Sequence, residues 1–240
     1  INMDLQLGDK IIMVTGGATG IGAGISKVLA AEGAVPVVVG RNETDNQKTV
    51  TEIMAGVGKA YQVVEELSKP GECETAVKKV IEKFGCIDGL VNNAVVNDGV
   101  NLEHGSYERF MDSLHKNLVH YYLVTHYALP HLIRSKGSIV NIGSKTAETG
   151  QGGTSAYAAA NGGRNALTRE WAVELLKYHI RVNAVIVAEC YTPLYETWIK
   201  TFQEPEKKLK EITAKIPLEN RFTSKEEIAH MVAFLFSERS

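Results

Sequence analysis

The chain has 240 residues, 44% of them hydrophobic and 22% charged, enough for one globular domain with a substantial buried core. Lysine and arginine total 26 against 28 acidic residues, a net charge of −2, so no overall charge calls for nucleic acid or an anionic membrane as partner. The apolar content argues against disorder, no apolar run approaches the about 20 residues of a membrane span, and no signal peptide is visible; a cytoplasmic protein is expected.

In chain order, the runs Ile11 to Thr15, Val35 to Val39, Ala60 to Val64, Ile87 to Val91, Ser138 to Ile142 and Arg181 to Val187 read as strands. Most are rich in valine and isoleucine and lack polar alternation, as a sheet covered on both faces requires. Helical patterns lie between them, near 21–32, 43–56, 72–84, 106–134 and 155–178, with a last one from Lys225 to Phe236. This alternation predicts an α/β fold of one domain, a doubly wound parallel sheet. Pro36 cannot donate a ladder hydrogen bond and belongs near the start of its strand.

The rhythm breaks at 193–217, where Thr192-Pro193, Trp198, Phe202 and Pro205 precede a charged run. Ligands of open α/β sheets bind beyond the carboxyl ends of the strands. A helical insertion directly after the sixth strand is therefore expected to be a substrate lid, with a plain surface hairpin as the alternative.

Thr15-Gly16-Gly17-Ala18-Thr19-Gly20-Ile21-Gly22 follows the first strand and opens the first long helix. Glycines permit a tight turn there, and the helix N-terminus offers unpaired N–H groups to a pyrophosphate. Gly16, Thr19, Gly20, Ile21 and Gly22 are thus candidate nucleotide ligands.

The spacing T-G-x-x-x-G-x-G resembles the short-chain dehydrogenase/reductase family. Asn92-Asn93-Ala94, Asn117, Ser144 and Tyr157 follow in the order and spacing of that family. The resemblance implies a Rossmann-type fold, nicotinamide-dependent hydride transfer, Tyr157 as general acid/base, Ser144 holding the substrate oxygen and Asn117 supporting a water-linked proton path. It also implies cofactor contacts from Asn93, Ala94 and Thr192, an adenine contact from Glu66, and a homotetramer built on the helices carrying Asn117 and Tyr157. The second strand ends in Gly40-Arg41-Asn42. No acid stands there to select the ribose 2′-hydroxyl, so Arg41 favours NADP, with NAD the alternative.

Several positions depart from the family. The pattern Y-x-x-x-K reads Tyr157-Ala158-Ala159-Ala160-Asn161. Residues i and i+4 share a helix face, so Asn161 stands beside the tyrosine, able to bond the cofactor ribose but bringing no charge. Val95 replaces the glycine usual after Asn92-Asn93-Ala94, and Val187-Ala188 replaces a proline-glycine pair. The chain stops at Ser240, where family members continue into a last strand; that strand is expected to be absent and its sheet edge open.

Asn97, Asp98, Lys145, Gln151, Glu189 and Trp198 are candidate substrate contacts, a polar set suited to several hydroxyls. With Thr192-Pro193-Leu194 they resemble the sugar-oxidising branch that includes L-fucose dehydrogenases. A small-molecule sugar or carbonyl substrate is implied; a keto-acyl or other carbonyl reductase and a non-catalytic dinucleotide-binding protein are the alternatives. The seven histidines show no metal-binding motif, so no metal is expected, and Cys73, Cys86 and Cys190 read as free thiols.

A neighbouring opposite charge lowers the pKa of an acid by about 1–3 units. Asn161→Lys is therefore expected to raise turnover at least about tenfold at neutral pH. Steady-state rates across the pH range check this, and equal rates for both proteins would show that position 161 is not limiting.

Overall fold

The computed structural model describes residues 4–56 and 58–240. Six strands form one parallel sheet in the order β3-β2-β1-β4-β5-β6: β1 (Ile11–Thr15), β2 (Val35–Gly40), β3 (Tyr61–Val64), β4 (Gly89–Asn92), β5 (Ser138–Ser144) and β6 (Arg181–Val187). The order reverses between β1 and β4, and both carboxyl ends open at that switch point, where ligands of such sheets bind.

Side-chain alternation along β1 divides the core. Ile11 and Met13 join a layer with Val77 and Val80 of α3 (Pro70–Phe84) and Val124 and Leu132 of α5 (His120–Ser135). Ile12 and Val14 join the opposite layer, with Ile25 and Leu29 of α1 (Gly20–Ala31) and Val232 and Phe236 of α9 (Lys225–Phe236). Burial on both faces explains the unbroken apolar runs. Pro36 is the second residue of β2, and pairing with β3 begins only at Val37, so its missing N–H costs no bond on that side.

Most element limits lie within two residues of expectation, and three of the differences have a visible cause. The fourth strand starts at Gly89 instead of residue 87, because the Asp88 carboxylate accepts the Ile11 N–H (2.8 Å) ahead of the ladder. The helix expected over 106–134 divides into α4 (Tyr107–Leu114) and α5, joined by a π turn, His115–Val119. There the Asn117 amide reaches back to the Ser113 carbonyl (3.0 Å) and accepts the Val96 N–H (2.9 Å). Such one-turn π insertions frequently mark functional sites. Finally, the helix expected over 155–178 is α6 (Ser155–Glu174) followed by a 3-10 turn, Leu176–Tyr178, and His179 in the left-handed region at φ 59°.

Helix α2 (Glu43–Ala55) flanks β2 and β3. After β6 come two short helices, α7 (Pro193–Ile199) and α8 (Pro205–Thr213), each begun by a proline in its first turn. Among the described residues β6 pairs only with β5, and Ile186 on that edge is exposed.

A buried polar chain ties the second half together. Asn92 Nδ2 donates to Thr125 Oγ1 (3.0 Å) and Asn141 Oδ1 (2.9 Å). Asn141 Nδ2 in turn donates to Thr168 Oγ1 (2.9 Å), and Thr168 donates to the Arg164 carbonyl (2.8 Å). Asn141→Ala leaves buried donors and acceptors unpaired and is expected to cost about 1–3 kcal/mol. A lowered urea midpoint at unchanged slope is the measurement.

Candidate active site

The carboxyl ends of β1 and β4 are held in one geometry by two side chains. Thr15 Oγ1 donates to the Val91 carbonyl (3.2 Å) and accepts the N–H groups of Asn93 (2.8 Å) and Ala94 (3.1 Å). Asn93 Nδ2 donates to the carbonyls of Thr15 (3.0 Å) and Gly16 (3.1 Å).

Two more carbonyls of the glycine turn are occupied, Gly17 by Ser26 (3.1 Å) and Ala18 by Thr49 (2.8 Å). Thr19, at the N-cap of α1, makes no side-chain cap bond, and the first turn holds no acid. The turn therefore presents its N–H side, with the partial positive charge of α1 behind it. Close approach demands the glycines: a Cβ on Gly22 would lie 2.0 Å from the Gly16 oxygen, and Gly16 itself has φ 61°. These features fit a dinucleotide pyrophosphate.

One cavity of about 1130 Å³ runs from this turn to the insertion after β6. Gly16, Thr19, Gly20, Ile21, Gly22, Arg41, Glu66, Asn93, Ala94 and Thr192 line it at one end. Ser144, Tyr157, Asn97, Asp98, Lys145, Gln151, Glu189 and Trp198 line the other. The sequence candidates thus converge, with two exceptions.

Asn117 is buried and absent from the lining, its amide spent on Ser113 and Val96. Asn161, also fully buried, turns its amide N–H back to the Tyr157 carbonyl (2.8 Å), and its Oδ1 has no protein partner. The short side chain bonds its own helix one turn back, as asparagine readily does, and leaves its Oδ1 as the group that could meet a ribose hydroxyl.

At the end of the cavity beside the glycine turn, Arg41 pairs with Glu66 (3.1 Å). Burial raises the Glu66 carboxyl, but hydrogen bonds from Ser68 and Arg41 outweigh it and hold the group below the usual range. The neighbouring Glu65 is tied to Lys79 (2.5 Å), so the two acids have separate partners.

At the other end, Ser144 Oγ accepts from Thr146 N (3.3 Å) and Thr146 Oγ1 (3.1 Å). Both of its acceptor sites are filled, which leaves its own proton to donate. Lys145 forms an ion pair with Glu189. Burial, then the neighbouring Glu189 carboxylate, push the Tyr195 phenol well above the ordinary range. Asp98 accepts from Ser113 (2.9 Å). Trp198 makes edge contacts with Tyr195 and Phe202, with ring centroids 5.1 and 5.0 Å apart.

Sequence reasoning missed Tyr195 and, more consequentially, Arg164, which also lines the cavity and is 1% exposed. Its place on the stripe of Tyr157 and Asn161 was a legible signal. Among the seven histidines, His120 is 2% exposed, with its ring nitrogens 2.9 Å from the Ala94 carbonyl and 3.2 Å from that of His115. Among the described residues no cluster of metal-ligating side chains occurs.

The sequence profile of the short chain dehydrogenase family matches residues 10–202. A curated relative, rat (Rattus norvegicus) L-fucose dehydrogenase, is 32% identical over 230 residues, covering 95% of this chain and 83% of its own. The crystal structure of Cj0485 dehydrogenase is 42% identical, with TM-score 0.92 and coverage of 98% and 90%. A variant of actinorhodin polyketide ketoreductase determined with NADPH is 29% identical, with TM-score 0.90 and coverage of 96% and 91%.

Burial, the largest influence, lowers the His120 pKa to about 4, against about 6.5 for an unfolded histidine. The unfolded chain alone binds this proton between those values, so the stability contribution is complete above pH about 6.5 and is lost as pH falls toward 4. His120→Gln is expected to flatten that part of the melting-temperature profile; an unchanged acid slope would show that other groups set it.

Proposed function

Since the chain belongs to the short-chain dehydrogenase/reductase family, we propose that it is an NAD(P)-dependent oxidoreductase acting on a sugar or polyol hydroxyl or its carbonyl, of the L-fucose kind, with its proton transfer weakened by Asn161. The observation that carries this reading is the single cavity joining the glycine turn to Ser144 and Tyr157, with the Ser144 proton left free to donate. Bound nicotinamide supplies or accepts the hydride.

Tyr157 gives its phenolic proton to the substrate oxygen in reduction and takes it back in oxidation. Ser144 donates a hydrogen bond to the same oxygen and holds it in line. Lys145, Glu189, Asn97, Asp98 and Gln151 provide donors and acceptors for further hydroxyls, and Trp198 offers a ring for a sugar face. The helices α7 and α8, with the turn between them, carry Trp198, Ile212 and Phe202 over the cavity, which supports the insertion 193–217 as a lid that excludes water.

For the cofactor, NADP is the preferred form: Arg41 lines the cavity near the glycine turn and could pair with a 2′-phosphate, and the ketoreductase relative is seen with NADPH. The Glu66 carboxylate holds Arg41 in place, and a 2′-phosphate would take over that guanidinium. A homotetramer in the cytoplasm completes the reading, on the family resemblance. The same ketoreductase likeness supports carbonyl reduction as the second reading.

Turnover against L-fucose, other aldoses, polyols and β-keto thioesters, with both cofactors, tests the proposal. Sugar oxidation with NADP is expected; cofactor binding without turnover on any substrate would overturn it in favour of a non-catalytic binding protein. Arg41→Ala is expected to weaken NADP by about 1.5–3 kcal/mol more than NAD, measured by titrating intrinsic fluorescence. Equal losses would remove the 2′-phosphate argument.

A further inference from the structure

Arg164 heads the fully buried side chains in volume, at 1% exposure. Residues 157, 161 and 164 share one stripe of α6. Side chains on a helix lean toward its N-terminus, so the guanidinium lies back over the turn of Asn161. Its Cζ is 5.6 Å from the centre of the Tyr157 ring and 4.9 Å from that of Tyr121.

Nη1 donates to the Ile142 carbonyl (2.9 Å) and the Tyr121 hydroxyl (3.2 Å), both neutral. Nε and Nη2 are buried without a hydrogen-bond partner. No carboxylate pairs with Arg164 among the described residues. A guanidinium keeps its proton in proteins, and a buried charge without counter-ion is costly; an apolar side chain would fill this space more cheaply. A cost of this kind, against the ring of the candidate acid/base, points to a task.

We propose that Arg164 supplies the positive charge missing from position 161, stabilising the Tyr157 phenolate from one helical turn further on. The inference rests on the proton-transfer role proposed above for Tyr157. In reduction the Tyr157 O–H bond breaks and an O–H bond forms on the substrate oxygen, while the substrate carbon gains the hydride of the reduced cofactor. The electron pair left on the phenolate then faces the Arg164 charge until solvent returns a proton. Arg164 touches no reacting atom and is a positioning residue that works by its field.

Other ionisable groups around the phenol do not fill this part. Lys145 is matched by Glu189, and Lys116 of the π turn by Asp112 of α4. Burial holds His120 neutral, and Tyr121 is pushed up to about 12, chiefly by burial. Arg109 of α4 bonds the His104 carbonyl, Arg181 of β6 bonds the Leu235 and Ser237 carbonyls, and Glu148 accepts from Asn165. Glu108 and His115, on the elements packed against α6, are a surface acid and a partly buried imidazole, and Asp98 is engaged by Ser113.

The test uses Arg164→Met, Arg164→Lys, Asn161→Lys and the Asn161→Lys/Arg164→Met double variant. Two readouts are taken: the pH profile of kcat/KM for alcohol oxidation, and the ultraviolet tyrosinate signal of cofactor-free protein that Tyr157→Phe removes. Arg164→Met is expected to move both midpoints up by about one unit and to lower kcat/KM at neutral pH about tenfold. Arg164→Lys should keep the wild-type midpoints. With Asn161→Lys present, Arg164→Met should cost less than about twofold, because the nearer lysine takes over.

Equal losses at every pH and in both backgrounds, with an unmoved tyrosinate signal, would overturn the inference and leave Arg164 a packing residue. If Arg164→Met does not fold, Arg164→Gln, neutral but still able to bond the Ile142 carbonyl, carries the same readouts. A moved tyrosinate signal without turnover on any substrate would sink the proposed function and spare this inference. Turnover with an unmoved signal would do the reverse.

Discussion

The site depends on the clasp between Thr15 and Asn93. One hydroxyl and one amide bind the ends of β1 and β4 to each other through five hydrogen bonds, all to backbone groups. Because the donors of Asn93 take the carbonyls of Thr15 and Gly16, the glycine turn must show its other side, the N–H side, to the cavity. The same clasp fixes Ala94 and its neighbours, whose loop is held again at Val96 by Asn117. The phosphate end and the chemical end of the cavity therefore share one anchor, and their separation is set by the backbone.

Asn117 and Asn161 show how one residue type does opposite work in two settings. In the π turn the Asn117 amide is satisfied on both sides and joins the 94–98 loop to the helix. On α6 the Asn161 amide satisfies only its own helix, and its oxygen is left orphaned. An orphaned acceptor at 161 and orphaned donors on Arg164 lie on one helix stripe. A buried stripe with unmet polar groups of both kinds is poor packing by itself. It becomes intelligible when a polar ligand and a transient anion are part of the working state.

The architecture was legible because a sheet buried on both faces demands long valine and isoleucine runs, and Val35–Gly40 has little else. The glycine turn was legible because only glycine tolerates the approach found at Gly22. The π turn was not: apolar periodicity across 106–134 is nearly the same with or without one inserted residue, and only the bonds of Asn117 and His120 reveal it. Strand starts were blurred for a similar reason, since Asp88 replaces a backbone partner with its side chain. Arg164 escaped because a lone arginine in a helix is ordinarily a surface residue; its burial follows from tertiary packing between β5, α5 and α6.

The chemistry of the substrate end follows from charges already matched inside the protein. Lys145 and Glu189 neutralise each other across the cavity, from the turn after β5 to the loop after β6, and the Tyr195 phenol lies beside the same carboxylate. An anionic ligand would have to separate that pair and leave Glu189 facing like charge; an apolar one would bury it without replacing its contacts with water. A hydroxyl both donates and accepts, so it can join the lysine and the carboxylate at once without breaking the balance. Several hydroxyls on one rigid ring do this at a low entropic cost. Under the proposed function, the ion pair that makes this end of the cavity polar favours neutral, hydroxyl-rich molecules over acids and over lipids.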